Sequence, residues 1–297
     1  MVGAVVVVAS ACLMIYQLRG VSFGPVLHRT SWPLAGAGAG FIALSLVAAA
    51  YNLTAFSPRR LRLGPSLAVQ LAVSGLRVVA PSAVSTPGIA TRYLSRQGAG
   101  AAEAVTTVAV AQAAQLMVTT AGVLGLGLLS GRSAHLPGPG TLALLAAVAL
   151  AVSVLVIISA RVPALRHGRQ AVARSARDLL DHARRHPIRV AGGLGASAAL
   201  TAAHVLAFLC CLRAVGGSAS VLTLTMIYLA AASAGSVIPT PGGVGAVETA
   251  MIAGLVAAGV PLALAAPATL LNRVVAVWLP ALPGWIALVM LRRRGTL

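Results

Sequence analysis

Arg77, Arg92, Arg273 and Glu248 are ionisable side chains set within apolar stretches of the chain. At a helix centre in lipid each would cost roughly 2.5–3.5 kcal/mol on insertion scales, so each must face a partner or an aqueous cavity. Three guanidiniums and one carboxylate cannot neutralise one another. The surplus positive charge suits an anionic headgroup, because a guanidinium fork matches phosphate through parallel hydrogen bonds. A buried ion pair between Glu248 and an arginine, locking two parts of the protein together, is the structural alternative. No Ser/His/Asp arrangement and no paired carboxylates can be assembled from the spacing, so no enzymatic activity is expected. The 6 histidines and 3 cysteines lack metal-ligand spacing, and neither a metal nor a cofactor is expected.

Glu248 closes an unusual segment containing Pro239, Pro241, Gly242, Gly243 and Gly245. A second break runs from Pro81 through Pro87 to Gly88, again combining two prolines, hydroxyl residues and a Pro-Gly step. Irregular backbone survives at membrane depth only where it is buried in protein or lines a cavity. Glycines there permit a tight turn and leave backbone amides available to an anion. A nucleotide-binding loop is excluded, since the chain has no lysine to complete it and no strand precedes it. Gln112, Gln115, Asn272 and His204 are further polar groups within apolar runs, of the kind that usually bridge helices.

The elements that must position these residues are membrane-spanning helices. The chain has 297 residues, of which 59% are hydrophobic and 9% charged, and its mean hydropathy is +0.94. Runs at about 1–18, 34–56, 101–130, 141–160, 190–212 and 262–291 approach or exceed the ~20 apolar residues a span needs. The net charge of +18 comes from arginines with no lysine, most of them beside those runs, a pattern that topology and anionic headgroups explain without nucleic acid. Loops 57–64 and 161–189 and the tail Arg292–Arg294 should all face the cytoplasm. Loop 161–189 also carries apolar residues at helical spacing, as an interfacial helix would.

A single crossing by residues 65–97 would put loop 161–189 outside. A hairpin that enters and returns keeps every basic loop inside, and the same holds for residues 221–259, entered from outside. The expected fold is therefore an all-α integral membrane protein with an inverted-topology repeat: each half has two spans, one re-entrant helical hairpin and one span. Residues 1–297 form a single transmembrane domain, 1–130 the first half and 141–291 the second. Pro81, Pro87, Gly88 and the Pro239–Gly245 cluster are the expected hairpin tips. In transporters of this design the substrate sits near the midplane, where interrupted segments of the two halves meet. Arg77, Arg92, Glu248 and Arg273 are the residues expected to bind it.

The stretch from Pro239 to Glu248, with Gly259, Arg273, Pro280 and Gly284 after it, resembles the C-terminal signature of the lysylphosphatidylglycerol synthase transmembrane (flippase-like) family. Pro87, Gly88 and Arg92 resemble its first-hairpin signature. The resemblance implies a membrane domain that, in bifunctional relatives, moves aminoacylated phosphatidylglycerol between leaflets, and it points to Arg92, Glu248 and Arg273 as site residues. Where many relatives carry a charged Glu-Arg pair and an Asp, this chain reads Ala111 to Gln115 without a charge. No extended polar region could house the aminoacyl-transferase domain, so a stand-alone member is expected.

The expected function is that of a flippase or scramblase moving an anionic or aminoacylated phospholipid, or a polyprenyl-phosphate-linked lipid, between leaflets. A non-transporting scaffold for an envelope or lipid-modifying enzyme and a small-solute transporter are the alternatives. Membrane lipids with anionic headgroups are the expected partners, with a homo-oligomer or an envelope enzyme to be considered. The expected location is the cell membrane, multi-pass, with both termini cytoplasmic.

Overall fold

A computed structural model describes residues 30–78, 82–129, 177, 181, 183–237 and 246–296. The expected spans 1–18 and 141–160, most of loop 161–189, and Pro81, Pro239, Pro241, Gly242, Gly243 and Gly245 lie outside those residues. Among the described residues the regular structure is entirely helical. In chain order the helices are α1 (Trp32–Phe56), α2 (Leu63–Arg77), α3 (Ser82–Arg96), α4 (Ala101–Leu129), α5 (Pro187–Ala214), α6 (Val221–Val237), α7 (Ala246–Ala257), α8 (Leu262–Arg273) and α9 (Leu279–Arg293). A π-helical segment, Val274–Trp278, joins α8 to α9. Among the described residues four stretches are long and apolar enough to cross a bilayer: Trp32–Phe56, Ala101–Thr119, Pro187–Ala214 and Leu262–Arg293. The chain is a multi-pass, all-α membrane protein, and these stretches coincide with four of the spans expected from sequence.

The central pair is α1 against α5, which run antiparallel. At one end the Ser31 amide donates to the Ala214 carbonyl at 2.8 Å. At the other, Asn52 Nδ2 donates to Ser197 Oγ at 2.7 Å and Arg189 reaches the Thr54 carbonyl at 3.4 Å. Small residues let the two backbones approach, since without a hydrophobic drive between helices in lipid, close van der Waals packing must hold them. A side chain on Gly193 would strike the Phe56 ring at 2.9 Å, and one on Gly38 would touch the Ala207 carbonyl at 3.4 Å.

Around this pair the element order long, short, short, long occurs twice. The link 57–62 after α1 equals in length the link 215–220 after α5, and the link 97–100 after α3 equals 258–261 after α7. The last two share a mechanism. Gly98 and Gly259 both take a φ of +87°, a left-handed conformation that costs a glycine little. The next amide then reaches back to cap the finished helix, from Ala99 to the Leu94 carbonyl at 3.1 Å and from Val260 to the Leu255 carbonyl at 3.0 Å. Helix α2 ends at Arg77 and α3 begins at Ser82, so Pro87 and Gly88 sit within α3. Pro87 is the sixth residue of α3 and lies inside the helix, where it removes one bond of the helical ladder.

The ends of the bundle differ in charge. Leu53 of α1, Leu94 of α3, Ala104 of α4 and Leu291 of α9 share one core cluster, so the termini that carry them lie together. Arg59, Arg60 and Arg62, Arg96, Arg189 and Arg292–Arg294 all gather there. Arg59 grips Glu103 in the first turn of α4 through two bonds of 2.8 and 3.1 Å. Arg213, beside Ala214, marks the opposite end.

Helices α2 and α9 cross in direct backbone contact. A side chain on Gly75 would lie 2.8 Å from the Gly284 carbonyl carbon and the Trp285 nitrogen, and one on Gly284 would collide with the backbone of α2. Backbone cannot yield as a side-chain tip can, so filling this crossing should cost on the order of 1–3 kcal/mol. Gly36, with open space around its Cα, is the contrast. Gly284→Ala should lower the thermal unfolding midpoint in detergent, whereas Gly36→Ala should hold or raise it, because alanine gains about 1 kcal/mol of helix propensity. Equal behaviour of the two variants would mean that close approach does not position α9.

Candidate functional site at the meeting of the short helices

The sequence places Glu248 in the first turn of α7, where a carboxylate also complements the positive end of the helix dipole. Arg273 is the last residue of α8, immediately before the π-helical segment. The fold brings the two together: Arg273 Nε donates to Glu248 Oε1 at 2.5 Å. Glu248 retains 7% of its accessible surface, so this is a buried, charge-assisted contact rather than a surface ion pair.

Arg77 ends α2, and it lies within electrostatic reach of both Arg273 and Tyr228 of α6. His204 of α5 stacks near Tyr228 with ring centroids 5.7 Å apart. Although Arg77 is enclosed by protein on the scale of the whole fold, its side chain remains accessible, because it lines a cavity of about 380 Å³. That cavity is walled by α1, α2, α3, α4 and α5, with Ala276 and Pro280 contributing from the π segment and the start of α9. The π turn has a physical cause nearby. The Leu279 amide reaches back five residues to the Val274 carbonyl, and Pro280, next in line, has no amide to offer and would crowd a normal helical turn. A carbonyl of the turn ahead of Pro280 consequently lacks that donor, beside the cavity.

The cavity wall is mainly apolar with a band of polar groups, and none of its described residues is acidic. Gln70, Ser74, Thr86, Gln112 and Gln115 line it alongside Arg77. Gln70 Nε2 donates to the Ala49 carbonyl at 3.3 Å, and Gln115 Nε2 donates to Thr201 Oγ1 at 2.9 Å. Of the acids, Glu103 is bonded to Arg59, Asp181 lies 3.9 Å from Arg184, and Glu248 is bonded to Arg273. None of these three lines the cavity, and Asp178 is outside the described residues.

Of the four residues expected at the site, Arg77, Glu248 and Arg273 converge. Arg92 does not join them: it is exposed near the C-terminal end of α3 and takes no part in the cavity wall. Tyr228, Gln70 and Ser74 were not anticipated. Their signal in the sequence is faint but real, each being a polar group inside one of the two interrupted apolar regions. Among the described residues, no group of three or more His, Cys, Asp and Glu side chains could hold a metal.

Comparison with known proteins agrees with the layout. The family described as "Lysylphosphatidylglycerol synthase TM region" matches residues 1–284. A UPF0104 membrane protein of Methanocaldococcus jannaschii is 36% identical over 74 residues, which is 25% of this chain and 22% of that protein. The aligned part thus spans well under a third of that relative.

Removing one partner of a buried pair leaves an uncompensated charge, at about 3–5 kcal/mol. Glu248→Gln should therefore lower the unfolding midpoint markedly. Glu248→Gln combined with Arg273→Gln should recover part of that loss, measured as a double-mutant cycle in detergent. Strictly additive losses would show that the pair is not coupled in the folded protein.

Proposed function

Because the chain belongs to the lysylphosphatidylglycerol synthase transmembrane family, we propose that it moves an anionic lipid between leaflets of the cell membrane, with the headgroup passing the cluster of Arg77, Arg273 and Glu248. One observation carries the reading: an accessible arginine at the end of α2 lines a cavity and lies within electrostatic reach of the buried Arg273–Glu248 pair. In an apolar protein such a cluster is costly, and recognition of an anion would offset that cost.

The two short-helix pairs act as re-entrant hairpins in this reading. Helix α2, at 15 residues, rises about 22 Å, short of the ~30 Å hydrocarbon thickness. The α2–α3 pair enters from the arginine-rich end, which the positive-inside rule makes cytoplasmic, together with the C-terminus and the N-terminus. The α6–α7 pair enters from the opposite end. The equal link lengths and the shared Gly98 and Gly259 turns support an inverted repeat of residues 1–130 and 141–291. In it Gln112 and Arg273 correspond, each being the twelfth residue of the helix that follows a hairpin. Substrate sites at such interfaces are the general pattern of inverted-repeat transporters. No chemical step is assigned, so the role is that of a non-enzymatic transporter.

A second reading, a non-transporting scaffold for an envelope enzyme, is favoured by the directness of the Glu248–Arg273 bond, which could serve only to fasten α7 to α8. The readings part in reconstituted vesicles. Leaflet exchange of fluorescent anionic phospholipids, followed by dithionite quenching, should exceed the protein-free rate and fall about ten- to a hundredfold in Arg77→Ala, the loss expected for one charge-assisted contact. Exchange at the protein-free rate across phosphatidylglycerol, phosphatidylinositol and phosphatidic acid would favour the scaffold. A folded Arg77→Ala protein with wild-type exchange would remove Arg77 from the path.

A further inference from the structure

Building on the reading of a lipid-headgroup path, we infer that the cavity selects a headgroup made of one phosphate and an uncharged polyol, and disfavours one bearing an ammonium. The polar part of the wall supplies one accessible guanidinium, Arg77, the His204 imidazole, and otherwise amides and hydroxyls, set among apolar side chains such as Leu46, Val73 and Leu200. A phosphate matches the guanidinium. The rest of the headgroup then meets groups that recognise hydroxyls.

The orientation of Gln115 is fixed by its neighbours. Thr201 donates its hydroxyl to the Ser197 carbonyl at 3.3 Å, and the Gln115 amide nitrogen donates to Thr201 Oγ1 at 2.9 Å and to Thr119 Oγ1 at 3.3 Å. That leaves Gln115 Oε1 as the remaining atom, and it is buried with no hydrogen-bond partner. A buried acceptor left unmade is destabilising; this oxygen has no surface on the cavity, so a ligand hydroxyl satisfies it only when the Gln115 side chain turns toward the cavity. Gln70 is held in the same sense, its nitrogen bonded to the Ala49 carbonyl. Gln112, one turn before Gln115, is exposed on the cavity wall and offers both a donor and an acceptor. Polyol hydroxyls, which donate and accept without charge, satisfy this set.

An ammonium does not. It would enter beside Arg77 with no carboxylate among the described residues of the wall to compensate it. Glu248, the nearest acid in the cluster, is engaged by Arg273. Like charges brought together in a water-poor site repel strongly. At about 380 Å³ the cavity falls in the range of small-ligand sites, ~300–1,000 Å³, with room for a phosphate and one small polyol.

Short-chain lipids binding to the purified protein in detergent test this. Phosphatidylinositol should bind about tenfold or more tighter than phosphatidylethanolamine, whose phosphate carries an ammonium, and tighter than phosphatidic acid, which lacks the polyol. Arg77→Gln should weaken phosphatidylinositol and phosphatidic acid alike. Gln115→Leu should weaken phosphatidylinositol alone, and Gln112→Leu, at an exposed position, supplies the same test should Gln115→Leu fold poorly. Phosphatidylethanolamine binding as tightly as phosphatidylinositol, or an unchanged phosphatidylinositol to phosphatidic acid ratio in the glutamine variants, overturns the inference. Inositol 1-phosphate binding as tightly as the lipid assigns the cavity to a soluble phosphate ester and overturns the lipid part. Leaflet exchange separates this from the transport reading. Phosphatidylinositol that binds selectively but does not cross defeats transport and leaves the selectivity standing, while faster exchange of phosphatidylethanolamine defeats the selectivity and leaves transport standing.

Discussion

The bond between Arg273 and Glu248 sets the terms for the interior of this protein. Neither charge would be stable alone at that depth. Their contact lets α7 begin with a carboxylate in its first turn and lets α8 end on a guanidinium without exposing either to lipid. With Glu248 engaged, the charge balance of the cluster rests on Arg77, and Arg77 is the member that opens onto the cavity. The pair thus separates two roles that the sequence presents as one group of ionisable residues: fastening, carried by Glu248 and Arg273, and accessibility, carried by Arg77.

Close packing of backbone complements that pair. Gly75 and Gly284 bring α2 and α9 into contact, and Pro280 sits one turn before Gly284, where the π segment ends. A regular helix through this region would keep Arg273 and Gly284 in a fixed rotational relation. The extra residue of a π turn changes that relation by about 100°, since an α-helix turns once in 3.6 residues. Arg273 can then meet Glu248 while Gly284 meets α2, two contacts on different neighbours made by one continuous span. The irregularity is what reconciles the electrostatic contact with the steric one.

Much of this was legible in the sequence, and the part that was not has a physical explanation. Length and hydropathy place spans such as Trp32–Phe56 and Pro187–Ala214 because a bilayer demands about 20 apolar residues whatever the packing. The cost of intramembrane charge likewise singles out Arg77, Glu248 and Arg273. Arg92 satisfies the same rule by position, yet it lies exposed near the end of α3, because hydropathy reports the stretch a residue belongs to and not the face it occupies. The break at Pro87 and Gly88 fails for a related reason. Pro87 is carried inside α3 at the loss of one ladder bond, so the break it marks in the sequence does not end the helix. Tyr228, Gln70 and the unpartnered Gln115 Oε1 depend on contacts between helices distant in sequence, and no local pattern encodes those.

The asymmetry between the two halves bears directly on which cargo the fold can serve. If α4 and α8 are counterparts, the position that holds a guanidinium in one holds the amide of Gln112 in the other. A symmetric pair of arginines would create a doubly positive site suited to a free polyvalent anion. A guanidinium neutralised by Glu248 on one side, and an uncharged amide on the other, leave a path whose net charge is set by Arg77. Such a path can hold a single phosphate and still release it, since each further unpaired cation would deepen binding and slow departure. Under the proposed transport role, modest and singly compensated charge is a better match to a lipid in transit than to a site built for retention.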